Sequence, residues 1–148
     1  MQKTCCFIPV IISLLLISPV WARTMSIGKD KANVYSGPGL EHAVVYQAPV
    51  GYPLRIEVEI GDWLRFRDWL GNIGWVTRPS VSGVKSAIVS VRIAAISSAP
   101  DIFHRTGKTV NRGEIYKVLE ERPNWVRVGS WSNGESIGWI QEDLVFGE

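Results

Sequence analysis

Apolar and polar residues alternate in short runs along most of this chain. Leu54, Ile56, Val58 and Ile60 are interleaved with Arg55, Glu57 and Glu59, the period of a strand with one buried face. Leu64 and Phe66 then alternate with Trp63, Arg65 and Arg67, and later Val126 and Val128 alternate with Trp125 and Arg127. Turn chemistry separates the runs: Ser36-Gly37-Pro38-Gly39, Gly51, Gly61-Asp62, Gly71-Asn72, Arg122-Pro123-Asn124 and Asn133-Gly134. Such residues supply positive φ, fix φ, or bond their own backbone. Short strands at this spacing predict an all-β sandwich or barrel, and beyond the N-terminal segment no stretch holds a helical period.

The pattern occurs twice. A shift of 62 residues lays Ser36 on Ser98, Pro38 on Pro100, His42 on His104, Gly51 on Gly113, Trp63 on Trp125, Arg65 on Arg127 and Trp69 on Trp131. After a two-residue insertion in the second copy, Ile73-Gly74-Trp75 meets Ile137-Gly138-Trp139. The halves are therefore expected to fold as two small modules, over 27–82 and 88–146, that touch across the short link Val81 to Ser86. A module of this size is near the lower limit for folding without staples, and a barrel suits it by removing open sheet edges.

Residues 1–22 read as a secretory signal peptide, with Lys3 at the start, an apolar run from Phe7 to Ile17, and small Ala22 at the cleavage position. Retention of the segment as an uncleaved anchor is the alternative, and both readings export the rest of the chain. Localisation is then periplasm, cell envelope or medium. Cys5 and Cys6 precede the apolar run, which is the wrong side for lipidation, and no cysteine follows them, so disulfides and thiolate sites are excluded downstream. Without Lys3 the balance is 15 basic to 14 acidic residues, too even a field to argue for nucleic acid or an anionic membrane.

Taken as an ordered set, Asn33-Val34-Tyr35-Ser36-Gly37-Pro38-Gly39, Gly61-Asp62-Trp63-Leu64-Arg65-Phe66 and Gly74-Trp75-Val76 resemble the bacterial SH3-like domain family. The resemblance implies a compact β-barrel that serves as a targeting or binding module on exported proteins, in some relatives for cell-wall peptides. Tyr35 stands where the family often has arginine. The second copy, with Ala95-Ile96-Ser97-Ser98-Ala99-Pro100-Asp101, is more divergent. The fold expected is all-β: two tandem small SH3-like β-barrels after the N-terminal signal segment.

The candidate chemistry is binding. Tyr35, Ser36, Pro38, Trp63, Arg65 and Trp69 in the first copy, with Trp125, Arg127 and Trp131 in the second, are expected to line aromatic grooves beside the loop at 36–39. Trp63 and Trp125 alternate with buried positions and should face outward, whereas Trp75 and Trp139 read as core aromatics. Arg65, Arg67 and Asp68 read as a solvated mixed-charge strand end. No catalytic residue, metal site or cofactor is expected: His42 and His104 lack companion ligands, and no serine sits in a nucleophile elbow. The partner expected is a peptide or cell-wall fragment, or else an envelope protein for which the chain is an adaptor. A small hydrolase relying on His42 or His104 is the remote third reading.

Overall fold

The computed structural model describes residues 23–148, so the signal segment read over 1–22, with Cys5 and Cys6, lies outside the described residues. The first module comprises β1 (Arg23–Ile27), β2 (Ala32–Tyr35), β3 (Val44–Ala48), β4 (Pro53–Ile60), β5 (Trp63–Arg67), β6 (Ile73–Thr77) and β7 (Val81–Ser82). The second comprises β8 (Ser86–Val89), β9 (Ile93–Ser97), β10 (Arg105–Asn111), β11 (Ile115–Arg122), β12 (Trp125–Gly129), β13 (Ser136–Gln141) and β14 (Val145–Phe146). They form two seven-stranded sheets, in the orders β3-β2-β6-β5-β4-β1-β7 and β10-β9-β13-β12-β11-β8-β14. Adding seven to each index converts the first order into the second.

Each sheet curls around its own core. Ile27 of β1, Val34 of β2, Ala48 of β3, Ile56 of β4, Phe66 of β5 and Val76 of β6 meet in one buried cluster, which a flat sheet could not bring together. Val89, Ile96, Val110, Val128, Ile140 and Val145 do the same in the second. Gly74 shows how tightly β6 is drawn in: a Cβ there would lie 2.5 Å from Val34 and 3.0 Å from Phe66. With Gly74 and Val76 facing the core, strand alternation sends Trp75 to the other side.

The alternation in β4 does not run to its end. Ile56 pairs with Phe66, but the next pair is Val58 with Arg65, so Glu57 is an extra residue in a β-bulge. A bulge places two residues opposite one and inverts the facing of everything after it. Ile60, expected on the buried face, therefore pairs with Trp63 and is 54% exposed. A second bulge lies between Val118 and Glu120, and brings Glu120 opposite Arg127 and Arg122 opposite Trp125.

Asp68 also departs from expectation, being 2% exposed rather than solvated. Its Oδ1 accepts the backbone N–H of Leu70 at 2.9 Å and of Asn72 at 2.8 Å. Oδ2 accepts the hydroxyls of Tyr46 at 3.3 Å and Tyr52 at 3.1 Å, and the Asn72 side chain at 3.1 Å. These donors offset the cost of burying a carboxylate. Burial first, with Asp68 adding to it, pushes both phenols above the ordinary tyrosine range.

Only residues 83–85 separate β7 from β8. They are fastened on both sides: Ser26 Oγ donates to Val84 O at 2.7 Å, and Val118 N donates to Lys85 O at 3.1 Å. The modules meet directly. The Trp131 ring lies 2.8 Å from where a Cβ on Gly51 would stand, and the Arg112 guanidinium sits 5.3 Å from the centre of the Trp69 ring. Arg55 likewise lies 5.1 Å from the Phe146 ring.

Candidate functional site

The first module carries a half-buried aromatic face opposite its core. Tyr35 ends β2, Trp63 opens β5 and Trp75 is central in β6. Tyr35 pairs with Trp75, and Arg65 pairs with Trp75 from the other side. The Tyr35 and Trp63 rings meet edge to face, with centroids 5.1 Å apart and planes at 90°. That arrangement sets the positive edge of one ring against the negative face of the other. The β4 bulge adds Val58 beside Arg65 and Ile60 beside Trp63. Glu57 bonds Arg67 at 2.8 Å and lies 3.8 Å from Arg65, so the bulge residue also holds the charged border of the face.

The loop from Ser36 to Ala43 leaves directly from this face. Ser36 and Pro38 are exposed, and Ser36 N donates to Ala43 O at 2.9 Å to close the loop. The His42 ring packs over Gly37, where a Cβ would meet it at 2.6 Å. Leu40 at the tip is 75% exposed.

The structure thus gathers Tyr35, Trp63 and Arg65 on one surface, with Ser36 and Pro38 in the adjoining loop. Trp69 is not among them. The turn built by Asp68 holds it at the junction against Arg112. Trp131 is displaced in the same way, packing on Gly51 with Lys117 5.4 Å from its ring centre. Both indoles lie where the modules meet, Trp69 against Arg112 and Trp131 against Gly51. Trp75, read from sequence as core, belongs to the outward face. The signal that places it is Val76, since neighbours in a strand cannot share a side.

In the second module the equivalent face is closed. Ser97, 1% exposed, takes the place of Tyr35 opposite Trp139. Trp139 is 7% exposed and lies outside the core cluster, on the face of Arg127, whose guanidinium is 6.0 Å from its ring centre. Arg127 is also bonded to Glu120 at 3.1 Å. Trp125 instead borders a groove of about 900 Å³ shared with Pro100, Ile102 and Glu142.

The histidines are engaged in loop contacts. The Nδ1 of His104 is 2.8 Å from Asp101, and Nε2 of His42 is 3.6 Å from Glu41. Hydrogen bonding by His104 holds the Asp101 carboxyl below its usual range. Among the described residues no serine or threonine hydroxyl bonds either imidazole, and no three His, Cys, Asp or Glu side chains gather as a metal set.

Residues 28–83 match the family described as bacterial SH3 domain. The chain is also similar to the Bacillus subtilis (strain 168) protein named "Putative N-acetylmuramoyl-L-alanine amidase YrvJ", at 26% identity over 132 residues, covering 80% of this chain and 24% of that one. Among solved structures it is similar to NlpC2 from Trichomonas vaginalis, at 19% identity and TM-score 0.38, covering 88% of this chain and 50% of that chain. It is likewise similar to an NlpC/P60 family protein from Bacillus cereus ATCC 10987, at 14% identity and TM-score 0.39, covering 84% and 56%. The chain spans about a quarter of the length of the curated relative and about half of each solved chain.

Proposed function

With the first barrel, residues 28–83, a member of the bacterial SH3-like domain family, we propose that this chain is an exported, non-catalytic module that binds peptide or peptidoglycan-derived ligands at the cell wall. The observation that carries this reading is the outward cluster of Tyr35, Trp63, Trp75 and Ile60, bordered by Arg65. An aromatic face beside an exposed loop offers flat apolar contact to an extended peptide, and backbone groups of the loop give direction. Similarity to a protein named for the N-acetylmuramoyl-L-alanine bond, where glycan joins stem peptide, supports a wall ligand. The His104 imidazole is bonded to the Asp101 carboxylate, and among the described residues neither imidazole meets a hydroxyl, which favours binding over catalysis.

The test is retention of the purified protein on isolated peptidoglycan. Trp63→Ala with Trp75→Ala should abolish retention, whereas Trp69→Phe, at the junction, should leave it unchanged. Equal retention of the double variant and the parent protein would refute the reading.

A further inference from the structure

Arg65 lies near one end of a row of outward residues that crosses the first sheet. Tyr35 of β2 is opposite Trp75 of β6, Trp75 opposite Arg65 of β5, and Arg65 opposite Val58 of β4. Residues directly opposite in an antiparallel pair share a face, so these side chains form one strip. With strands about 4.8 Å apart, the strip runs roughly 10 Å from Tyr35 to Arg65, the length of about three extended residues.

The second module shows what Arg65 lacks. Its equivalent, Arg127, has Glu120 directly opposite and forms an ion pair with it at 3.1 Å. Val58 takes that place in the first module, so no acid stands across from Arg65. Its one ion pair among the described residues is with Glu57 at 3.8 Å, too long for a hydrogen bond. The other oxygen of Glu57 already accepts Arg67 Nε at 2.8 Å. Two guanidiniums thus share one carboxylate, and the trio keeps one positive charge. Arg23 and Arg78 share Glu59 likewise, with Arg78 opening the 3-10 turn Arg78-Pro79-Ser80. The corresponding turn of the second module, Glu142-Asp143-Leu144, is acidic. Arg65 is half-buried between half-buried Trp75 and Val58, where an ion pair is screened less than on open surface.

We propose that Arg65 anchors the free C-terminal carboxylate of a wall stem peptide that lies along Trp75 and Tyr35. A guanidinium presents parallel N–H donors in a planar fork that matches a carboxylate, and one surplus charge suits a monoanion. Beyond Arg65 the strip is bordered by the Glu57–Arg67 pair, whereas its other end opens beside the exposed loop that begins at Ser36. A chain end therefore meets the guanidinium, not a side chain in mid-peptide. A strip of about three residues matches a stem peptide, which is itself only a few residues long. The inference rests on the aromatic face being the binding face, and adds which end of the ligand that face holds.

The probes are acetyl-Ala-Ala-Ala with a free C-terminus, the same peptide as its C-terminal amide, and acetyl-Ala-Asp-Ala-amide, whose carboxylate is on a side chain. Each is titrated into the purified protein while the Trp63 and Trp75 indole N–H signals are followed by NMR. The free acid should bind about fivefold more tightly than either amide, and high salt should reduce that advantage. Arg65→Gln should bind acid and amide alike, and Arg65→Lys, with the charge but not the fork, should keep part of the preference. The ratio of acid to amide affinity, measured within one variant, is not moved by a merely structural role. Retention of Arg65→Gln on isolated peptidoglycan should also fall by about fivefold. Indole movement with equal affinity for acid and amide, equal affinity for the aspartate peptide, or full retention of Arg65→Gln would each overturn the proposal and leave the aromatic face as the binding face. No movement of either indole with any probe would overturn both together.

Discussion

Beside Trp63 the first module presents Val58 and Ile60, whereas beside Trp125 the second presents Glu120 and Arg122, although a bulge at the same place in each sheet turns these positions outward. Tyr35 becomes Ser97, and the Arg78 turn becomes the Glu142-Asp143 turn. One frame therefore carries an aromatic, apolar face in one module and a charged groove in the other. Strand pairing and core positions dictate the frame, while the outward positions differ between the copies: Tyr35 and Trp75 are half-buried, and Ser97 and Trp139 are buried. The cores also differ: Leu64 and Phe66 in the first stand where Val126 and Val128 do in the second.

The comparison is broken most severely through Asp68. Asp68→Ala removes the acceptor of two tyrosine hydroxyls and two backbone N–H groups, and should destabilise the first module by about 3 kcal/mol. Ser130→Ala, at the corresponding place in the second, should cost less than about 0.5 kcal/mol. Chemical denaturation followed by signals from each module separates the effects, and equal losses would show that the polar cluster is not what distinguishes them.

Next in size is the junction. Gly51 has φ +79° and the Trp131 ring 2.8 Å from the place of a Cβ, so Gly51→Ala adds a clash to backbone strain and should cost about 2 kcal/mol. Gly113, with φ +85° and open space around it, bears the strain alone, and Gly113→Ala should cost about 1 kcal/mol. Thermal melts of the two variants measure the difference, which vanishes if Trp131 does not pack on Gly51.

Tyr35→Ser gives the first module the residue of the second. Losing the edge-to-face contact with Trp63 should cost about 1 kcal/mol, and Trp63 emission should shift to the red as its ring gains solvent. An unchanged spectrum would mean that Tyr35 does not cover Trp63.

The smallest effect is acid-dependent and confined to the second module. Asp101 has a carboxyl held low in the folded state by His104, so its contribution is present at neutral pH and lost only as pH falls through that lowered value. The amide signals of Phe103 and His104, both bonded to Asp101, should therefore persist through the ordinary carboxylate range and move below it. The equivalent amides of Glu41 and His42, with Gly39 in place of Asp101, should show no such acid transition.

Much of the frame was legible in the sequence. Alternation at Leu64 and Phe66, and the spacing of the tryptophans, predict strands and an all-β fold, which the two seven-stranded sheets display. Turn residues mark the strand ends because backbone geometry there depends on local residue type. The bulge at Glu57 was not legible, since an extra residue in one strand is defined only against its partner. The facing of Ile60 was misread for that reason. Asp68 was misread because its donors, Tyr46 and Tyr52, are distant in sequence, and a charged residue at a strand end ordinarily faces water. Trp69 and Trp131 show the same limit, since contact with a second module leaves no local mark. Trp75 is different: Val76 beside it already gave its facing.

Apart from Trp21, the chain has six tryptophans, and their indole N–H signals divide the molecule into ligand faces and junction. Titrating soluble wall fragments that carry stem peptides while recording these signals therefore tests the proposed function directly. The expected result is movement of Trp63 and Trp75, with Trp69 and Trp131 stationary between the two modules. Movement confined to Trp69 and Trp131, or no movement at any indole, would contradict the assignment of the outward aromatic face as the binding surface.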